Sequence, residues 1–169
     1  MSSAKKRPGA AAFGGAPHDH GACIADALLA AETICRERGA RLTKLRRRVL
    51  ELIWSSHAPV GAYGLLRRLS QEHESAAPPT VYRALDFLLG QGLIHRIESL
   101  NAFVGCVEPS EAHVGQFLIC RSCGAAAEMR DRRVKDAIGR TASDLGFTLE
   151  KAIVELRGLC SACQESDDA

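Results

Sequence analysis

Two Cys-x-x-Cys pairs constrain this chain more than any other feature of its sequence. Cys120 and Cys123 form the first pair, Cys160 and Cys163 form the second, and thirty-six residues separate the two pairs. Four thiolates are a complete ligand set for a tetrahedral structural zinc site. The intervening segment is long enough for a helix and a strand, so a shared metal would join two ends of a small domain. The spacing therefore predicts one structural zinc ion bound by these four cysteines.

The charges of this 169-residue chain are unevenly distributed around a formal net charge of +2. Residues 36–98 carry eleven Lys and Arg against six Asp and Glu, a balance of +5. Residues 99–169 carry eight against eleven, a balance of −3. A basic half joined to an acidic half suggests that the first half binds nucleic acid and that the second does something else.

The N-terminal segment and the cysteines bear on the compartment. Lys5-Lys6-Arg7 is followed by Pro, Gly and Ala rather than by the continuous apolar segment of a secretory signal. No stretch approaches the length of a membrane span, so no membrane partner is expected. We predict a cytoplasmic protein whose seven cysteines are reduced or metal-bound. Residues 1–21 are rich in Ala, Gly and Pro and are predicted to be a disordered tail.

Residues 22–107 have the pattern of a winged helix-turn-helix domain. Helical periodicity begins near Cys23, resumes after the predicted N-cap Thr43, and returns at about 62–73 and 79–90. Two short β-type runs follow at 93–97 and 102–106. Helices followed by a β-hairpin are typical of a winged helix, so this half is the predicted DNA-binding domain.

Residues 108–165 are predicted to form a small α/β domain, which makes the whole chain α+β. Strand-like runs flank the first cysteine pair, Asp131 is a predicted N-cap, and 149–156 is a further predicted strand. The helix after Asp131 has a predicted inward face that carries Val134, Ala137, Ile138, Thr141 and Leu145. A domain of this size often needs a metal to supplement its core. The region at about 99–110 is the predicted hinge between the two domains.

The helix that opens at Pro79 is the predicted recognition helix. Its apolar stripe leaves Thr80, Tyr82 and Arg83 toward solvent. Arg83 is suited to a bidentate contact with guanine, while Thr80 and Tyr82 could bind phosphate or contact a thymine methyl. Tyr63, before the third helix, could reach the DNA backbone or a base. Arg83 taken alone would be an ordinary surface arginine, and the predicted wing and metal domain favour the DNA-binding interpretation.

Specific motifs link this pattern to a known family. Residues 78–88 are Pro-Pro-Thr-Val-Tyr-Arg-Ala-Leu-Asp-Phe-Leu, and Gly-Leu-Ile-His follows at 92–95. Together with the paired Cys-x-x-Cys motifs, these segments resemble the ferric uptake regulator family over residues 24–165, and most of all its zinc-uptake branch. The resemblance implies a homodimer that binds double-stranded operator DNA when its metal is bound and represses transcription. It implies neither catalysis nor a small-molecule substrate.

The resemblance also implies a regulatory zinc site, and therefore two zinc ions per protomer. Four residues match that site by motif: His95, Cys106, His113 and Glu128. Two imidazoles, a thiolate and a carboxylate suit tetrahedral Zn(II), and the soft sulfur favours zinc over Fe(II) or Mn(II). Since two of the ligands belong to the wing and Glu128 to the dimer domain, bound zinc would fix the angle that sets the spacing of two recognition helices.

Three alternatives remain open at this stage. An iron, manganese or peroxide sensor of the same family would lack a use for Cys106, and Val114–Phe117 occupies the position of a His-rich motif typical of iron and peroxide sensors. A thiol-disulfide oxidoreductase usually places its Cys-x-x-Cys at the start of a helix, whereas Cys120 is predicted in a turn between strands. A zinc-ribbon interaction module would not explain the basic half of the chain.

Overall fold

A computed structural model of the chain describes residues 20–56, 58–72, 77–110, 113 and 115–167. Residues 1–19 of the predicted tail, with His18, lie outside this part. The described residues form two compact units, one ending before residue 113 and the other beginning at His113. The predicted domain limits at 22–107 and 108–165 stay predictions. Within the described residues, every helix is too short or too polar to cross a bilayer.

The N-terminal unit combines α-helices with a small antiparallel sheet. Its helices are α1 (His20–Glu37), α2 (Lys44–Trp54), α3 (Ala62–Glu72) and α4 (Pro78–Gly90). Its strands are β1 (Val60–Gly61), β2 (Ile94–Ile97) and β3 (Ala102–Gly105), in the order β1-β3-β2. A 3₁₀ turn over Glu98–Leu100 connects β2 to β3 and ends at Asn101, whose φ of 46° lies in a region that Asn tolerates. The predicted order of helices followed by a hairpin is confirmed.

Local sequence explains where these helices begin. Thr43 has extended backbone geometry, and its side chain accepts a hydrogen bond of 3.4 Å from the amide of Arg46, so it caps α2 as predicted. Pro78 and Pro79 occupy the first turn of α4, where the missing amide hydrogens have no helical partner in any case. The start of the predicted recognition helix is therefore fixed by backbone chemistry.

One apolar core fills the N-terminal unit. The buried faces of the helices converge there, and the residues that are at most 1% exposed are Ala31, Cys35, Val49, Leu50, Ile53, Leu65, Leu69, Val81, Leu85 and Leu88. Cys35 is thus a core residue, where a cysteine behaves as a small apolar side chain. Because the apolar face of α4 packs into this core, the opposite face of the helix is exposed to solvent.

The C-terminal unit is a three-stranded sheet with two helices. Its elements are β4 (Gly115–Cys120), β5 (Ala126–Glu128), α5 (Arg132–Asp144), β6 (Ile153–Gly158) and α6 (Ser161–Asp167). The strand order is β5-β4-β6, with β5 antiparallel and β6 parallel to β4. Asp131 caps α5 as predicted, since its carboxylate accepts a 2.8 Å hydrogen bond from the amide of Arg133. The α+β fold class is confirmed.

Two predictions for this unit are wrong in detail. The predicted strand at 149–156 is displaced, because β6 pairs with β4 residue by residue from Gly115–Ile153 to Cys120–Gly158 and so begins where its partner begins. The predicted inward face of α5 is not buried: no residue of this helix is, and Leu145 is 80% exposed. The short helix α6 was not among the predicted elements.

Candidate metal centres and nucleic-acid interface

The parallel pairing of β4 and β6 brings the two Cys-x-x-Cys pairs together. Cys120 is the last residue of β4 and lies opposite Gly158, two residues before Cys160. The sulfur atoms of Cys120, Cys123, Cys160 and Cys163 all lie within 4.8 Å of one another. The sulfurs of Cys123 and Cys160 are 3.8 Å apart. Four convergent thiols with this spacing fit the ligand set of tetrahedral zinc.

The surroundings of Cys120 and Cys163 shift the pKa values of these two thiols in opposite directions. Backbone amides of Cys123, Cys160 and Ser122 point at the sulfur of Cys120 and lower its pKa to about 6, against the opposing effect of burial. A hydrogen bond with Ser122 lowers the pKa of Cys163, but the neighbouring thiols of Cys160, Cys120 and Cys123, with burial, outweigh it and raise the pKa to about 12. The thiol of Cys120 therefore ionises easily, whereas that of Cys163 resists ionisation. Four thiolates can coexist here only with a cation among them.

Within the C-terminal unit, His113 and Glu128 form an adjacent pair. Nε2 of His113 lies 2.6 Å from Oε1 of Glu128, and the two side chains are only 14% and 3% exposed. Glu128 ends β5 opposite Phe117 of β4, which directs a carboxylate toward the segment that precedes the sheet. An imidazole and a buried carboxylate at this distance supply one nitrogen and one oxygen donor, the mixed set that zinc accepts.

Within the N-terminal unit, His95 and Cys106 form a second pair. His95 lies in β2 opposite Val104, and Cys106 follows the last residue of β3. The amide of Cys106 donates a 3.0 Å hydrogen bond to the carbonyl of Leu93, and its side chain is 3% exposed. A nitrogen of His95 and the sulfur of Cys106 lie within 4.8 Å of each other. The base of the hairpin therefore offers a second nitrogen donor and a soft sulfur donor.

The predicted DNA-contacting residues are accessible on the N-terminal unit. In α4, Tyr82 is 48% exposed and Arg83 is exposed, while Thr80 in the first turn is half-buried. Tyr63 in the first turn of α3 is 82% exposed. Val81, Ala84, Leu85 and Leu88 hold the other face of α4 in the core. The helix can thus present a short polar surface without losing its packing, as a helix entering a major groove must.

The three consecutive arginines of α2 have structural roles that the sequence did not reveal. The guanidinium of Arg46 lies 3.6 Å from the centre of the Phe87 ring in α4. Arg47 forms an ion pair with Glu32 of α1, and Nε of Arg48 donates a 2.8 Å hydrogen bond to Glu72 of α3. Each arginine therefore joins α2 to a different helix. In the sequence, a run of basic residues suggests affinity for DNA. Only the tertiary contacts show that these arginines interact with neighbouring helices.

Comparison with known sequences gives one consistent result. The profile of the Ferric uptake regulator family matches residues 37–157. The Zinc uptake regulation protein of Escherichia coli (strain K12) is 42% identical over 139 residues, which cover 82% of this chain and 81% of that protein. The Zinc uptake regulation protein of Mycobacterium tuberculosis (strain ATCC 25618 / H37Rv) is 29% identical over 129 residues, which cover 75% of this chain and 96% of that protein.

Solved structures give the same result. A zinc uptake regulator complexed with zinc and DNA aligns with a TM-score of 0.83 at 40% identity, covering 86% of this chain and 98% of that one. The crystal structure of holo XcZur aligns with a TM-score of 0.76 at 46% identity, covering 82% of this chain and 96% of that one. Each of these two alignments covers more than four fifths of this chain.

Proposed function

The chain belongs to the ferric uptake regulator family, and we propose that it is a zinc-responsive transcriptional repressor of zinc-uptake genes. The observation that carries this proposal is the presence, in one chain, of a four-thiol cluster and a helix with an exposed polar face that includes Arg83. Relatives named zinc uptake regulation proteins, and a neighbour bound to zinc and DNA, support the same function. The protein acts by binding rather than by catalysis.

The four-thiol cluster is the structural zinc site of this proposal. Its sulfurs converge at one end of the sheet, where the parallel strands β4 and β6 both finish, so bound zinc would cross-link β4 to the segment after β6. Zinc supplies the positive charge that allows crowded thiolates to coexist. Metal binding at such a site contributes directly to the free energy of folding.

The regulatory zinc site consists of His95, Cys106, His113 and Glu128, which makes two zinc ions per protomer. Support comes from the family resemblance and from the pairing of the ligands within each unit, His95 with Cys106 and His113 with Glu128. The Cys106 thiolate gives the site its preference for zinc over harder ions. Because each unit contributes two ligands, zinc occupancy would favour one arrangement of the units by differential affinity, which is how a ligand shifts a conformational equilibrium.

The operator is double-stranded DNA, bound by α4. Arg83 contacts a base, and Thr80, Tyr82 and Tyr63 contact bases or the backbone. The exposure of Tyr63, Tyr82 and Arg83 supports these assignments. A DNA partner and free cysteines support a cytoplasmic location.

The functional form is a homodimer joined through the C-terminal units. Large apolar side chains of this unit are exposed, and they are Leu145, Phe147, Leu149 and Leu156. Exposed apolar surface on a small unit favours burial against a partner. Dimerisation also matches the demand of DNA recognition, since two recognition helices bind half-sites in successive major grooves.

The decisive variant is Cys106→Ser, because it removes the soft ligand and leaves the four-thiol cluster intact. We expect it to keep the fold, the dimer and one zinc per protomer, and to lose operator binding at free zinc levels that saturate the parent. Its metal preference should move toward harder ions. Zinc content and operator affinity in buffered free zinc are the measurements.

Cys23→Ser is the matched control, because Cys23 lies in α1 and belongs to neither predicted site. It should behave as the parent in both measurements. If Cys106→Ser binds operator with an unchanged zinc dependence, these four residues are not the sensor. An iron, manganese or peroxide sensor would instead reveal itself by operator binding that responds to another metal or to oxidant and is insensitive to zinc.

A further inference from the structure

The chain has one tryptophan, and it packs against the strand that leads to a predicted zinc ligand. Trp54 is the last residue of α2 and is half-buried against the N-terminal core. Gly105 is the last residue of β3. A Cβ atom added to Gly105 would lie 2.2 Å from Cε2 and 2.4 Å from Nε1 of the Trp54 indole. The indole thus occupies the space that any side chain at residue 105 would need.

Gly105 lies beside both ligands of the His95–Cys106 pair. It is directly followed by Cys106 in the chain, and it pairs across the hairpin with Ile94, the residue before His95. The amide of Cys106 is held by the carbonyl of Leu93, so the backbone at this end of the hairpin is fixed from within the sheet. The indole of Trp54 fixes it from the side of α2.

We propose that Trp54 is a positioning residue for zinc: its indole, seated on Gly105, holds the backbone that carries His95 and Cys106 in the geometry that binds Zn(II). This inference rests on the proposed function, since it takes both residues as ligands of the regulatory zinc. Gly105 is the necessary complement, because only a residue without a Cβ lets the ring approach the strand so closely.

The contact can be perturbed from either side. Gly105→Ala adds a methyl group where the ring lies, so the ring or the strand must move, and Cys106 moves with the strand. Residues that orient metal ligands typically alter metal affinity about ten- to hundredfold when they are changed. Trp54→Leu removes the ring, and the double variant Gly105→Ala/Trp54→Leu lets the added methyl group occupy part of the vacated space.

The test is zinc competition against a chromophoric chelator, which resolves the tighter and weaker zinc sites of the full-length protein. We expect Gly105→Ala to weaken the regulatory site by about tenfold or more while it leaves the four-thiol site unchanged. The double variant should bind regulatory zinc more tightly than Gly105→Ala. Gly90→Ala is the matched control, because an added Cβ there meets no atom within 4 Å, and it should bind zinc as the parent does.

Tryptophan emission provides a second measurement, and it would not respond to zinc if Trp54 only stabilised the fold. Trp54 is the sole indole of the chain, and an indole ring is sensitive to the polarity of its surroundings. Zinc added to protein whose four-thiol site is already filled should shift the emission of the parent and of Gly90→Ala. The same addition should leave the emission of Cys106→Ser unchanged.

The outcomes separate this inference from the proposed function. A parent that binds a single zinc would refute the regulatory site itself. A parent with two zinc ions whose affinities are unaltered in Gly105→Ala would refute the positioning role of Trp54. If the double variant loses as much free energy of zinc binding as the two single variants together, the positioning role is refuted as well, since two changes that act through one contact are not additive. If Gly105→Ala does not fold, unaltered regulatory affinity in Trp54→Leu would refute it.

Discussion

The two compact units bury apolar surface in different ways. The N-terminal unit has a closed core in which residues such as Leu65, Leu69 and Leu88 are completely buried. In the C-terminal unit, α5 contributes no buried residue, and Leu145 and Phe147 are 80% and 64% exposed. The comparison indicates that the first unit is stabilised by its own side chains, whereas the exposed apolar side chains of the second are consistent with the proposed zinc and the proposed second copy.

The largest expected effect tests the metal half of that comparison. Cys163→Ser removes one of four converging thiols, and we expect the C-terminal unit to unfold while the N-terminal unit keeps its helices. Zinc contributes on the order of 10 kcal/mol in small zinc-dependent domains, which exceeds the whole stability of many of them. Loss of one of two thermal transitions, together with loss of the dimer and of the tightly bound zinc, is the expected result.

Cys23→Ser again serves as the control for a Cys-to-Ser change, and a strong chelator applied to the parent should reproduce the Cys163→Ser behaviour. A Cys163→Ser protein that stays dimeric and native without zinc at this site would show that the C-terminal unit is stable on its own. The contrast between the two units would then have to be abandoned.

The second prediction tests the other component, the second copy. Leu145→Asp places a charge at an exposed apolar position of the C-terminal unit, and burial of that charge in a dimer would be costly. We expect the dimer dissociation constant to rise at least about thirtyfold, since central apolar residues of an interface contribute about 2 kcal/mol or more. Analytical ultracentrifugation over a range of concentrations measures it.

Leu29→Asp is the matched control for this change, because Leu29 in α1 of the N-terminal unit is also exposed, at 65%. It should leave the dimer intact. A dimer that tolerates Leu145→Asp and is broken by Leu29→Asp would place the interface in the N-terminal unit. Dimer formation by both variants would remove the proposed reason for the exposed apolar side chains.

The sequence was most informative where local chemistry decides the structure. Thr43 and Asp131 cap their helices through their own side chains, and the prolines at the start of α4 set its first turn. It was misleading for α5, whose apolar periodicity predicts a buried face, whereas the structure buries no residue of this helix. A helix that is buried only by a partner chain has the same pattern as one buried by its own domain.

For the candidate sites, the sequence predicted which side chains converge better than it predicted their surroundings. The spacing of Cys120, Cys123, Cys160 and Cys163 predicted a cluster that the parallel pairing of β4 and β6 assembles. The contact of Trp54 with Gly105 was not predictable, because fifty residues separate the two and neither belongs to a motif. Such contacts depend on packing geometry, which periodicity does not encode.

The third prediction concerns the exposed face of α4, the helix whose other face completes the N-terminal core. Arg83→Ala should weaken operator binding by roughly 1–3 kcal/mol and relax the preference at one position of each half-site. Its side chain is exposed, so the stability of the unit should not change. A base-substitution series on the operator measures the preference. Arg140→Ala in α5 is the control, and it should leave the preference unaltered.

The smallest expected effect distinguishes two basic residues of one helix. Lys44 at the start of α2 is exposed, whereas Arg48 is held by Glu72 and Glu51. Arg48→Gln should therefore lower the free energy of unfolding by about 0.5–1 kcal/mol, the usual contribution of such pairs, and change the salt dependence of operator binding little. Lys44→Gln should do the reverse: stability stays constant, and the slope of log affinity against log salt falls by about one if Lys44 contacts a phosphate. Thermal unfolding and binding at several salt concentrations measure both.

Equal salt slopes for the two variants would mean that the ion pairs of Arg48 do not restrict it, and that the basic run acts as one DNA-contacting surface.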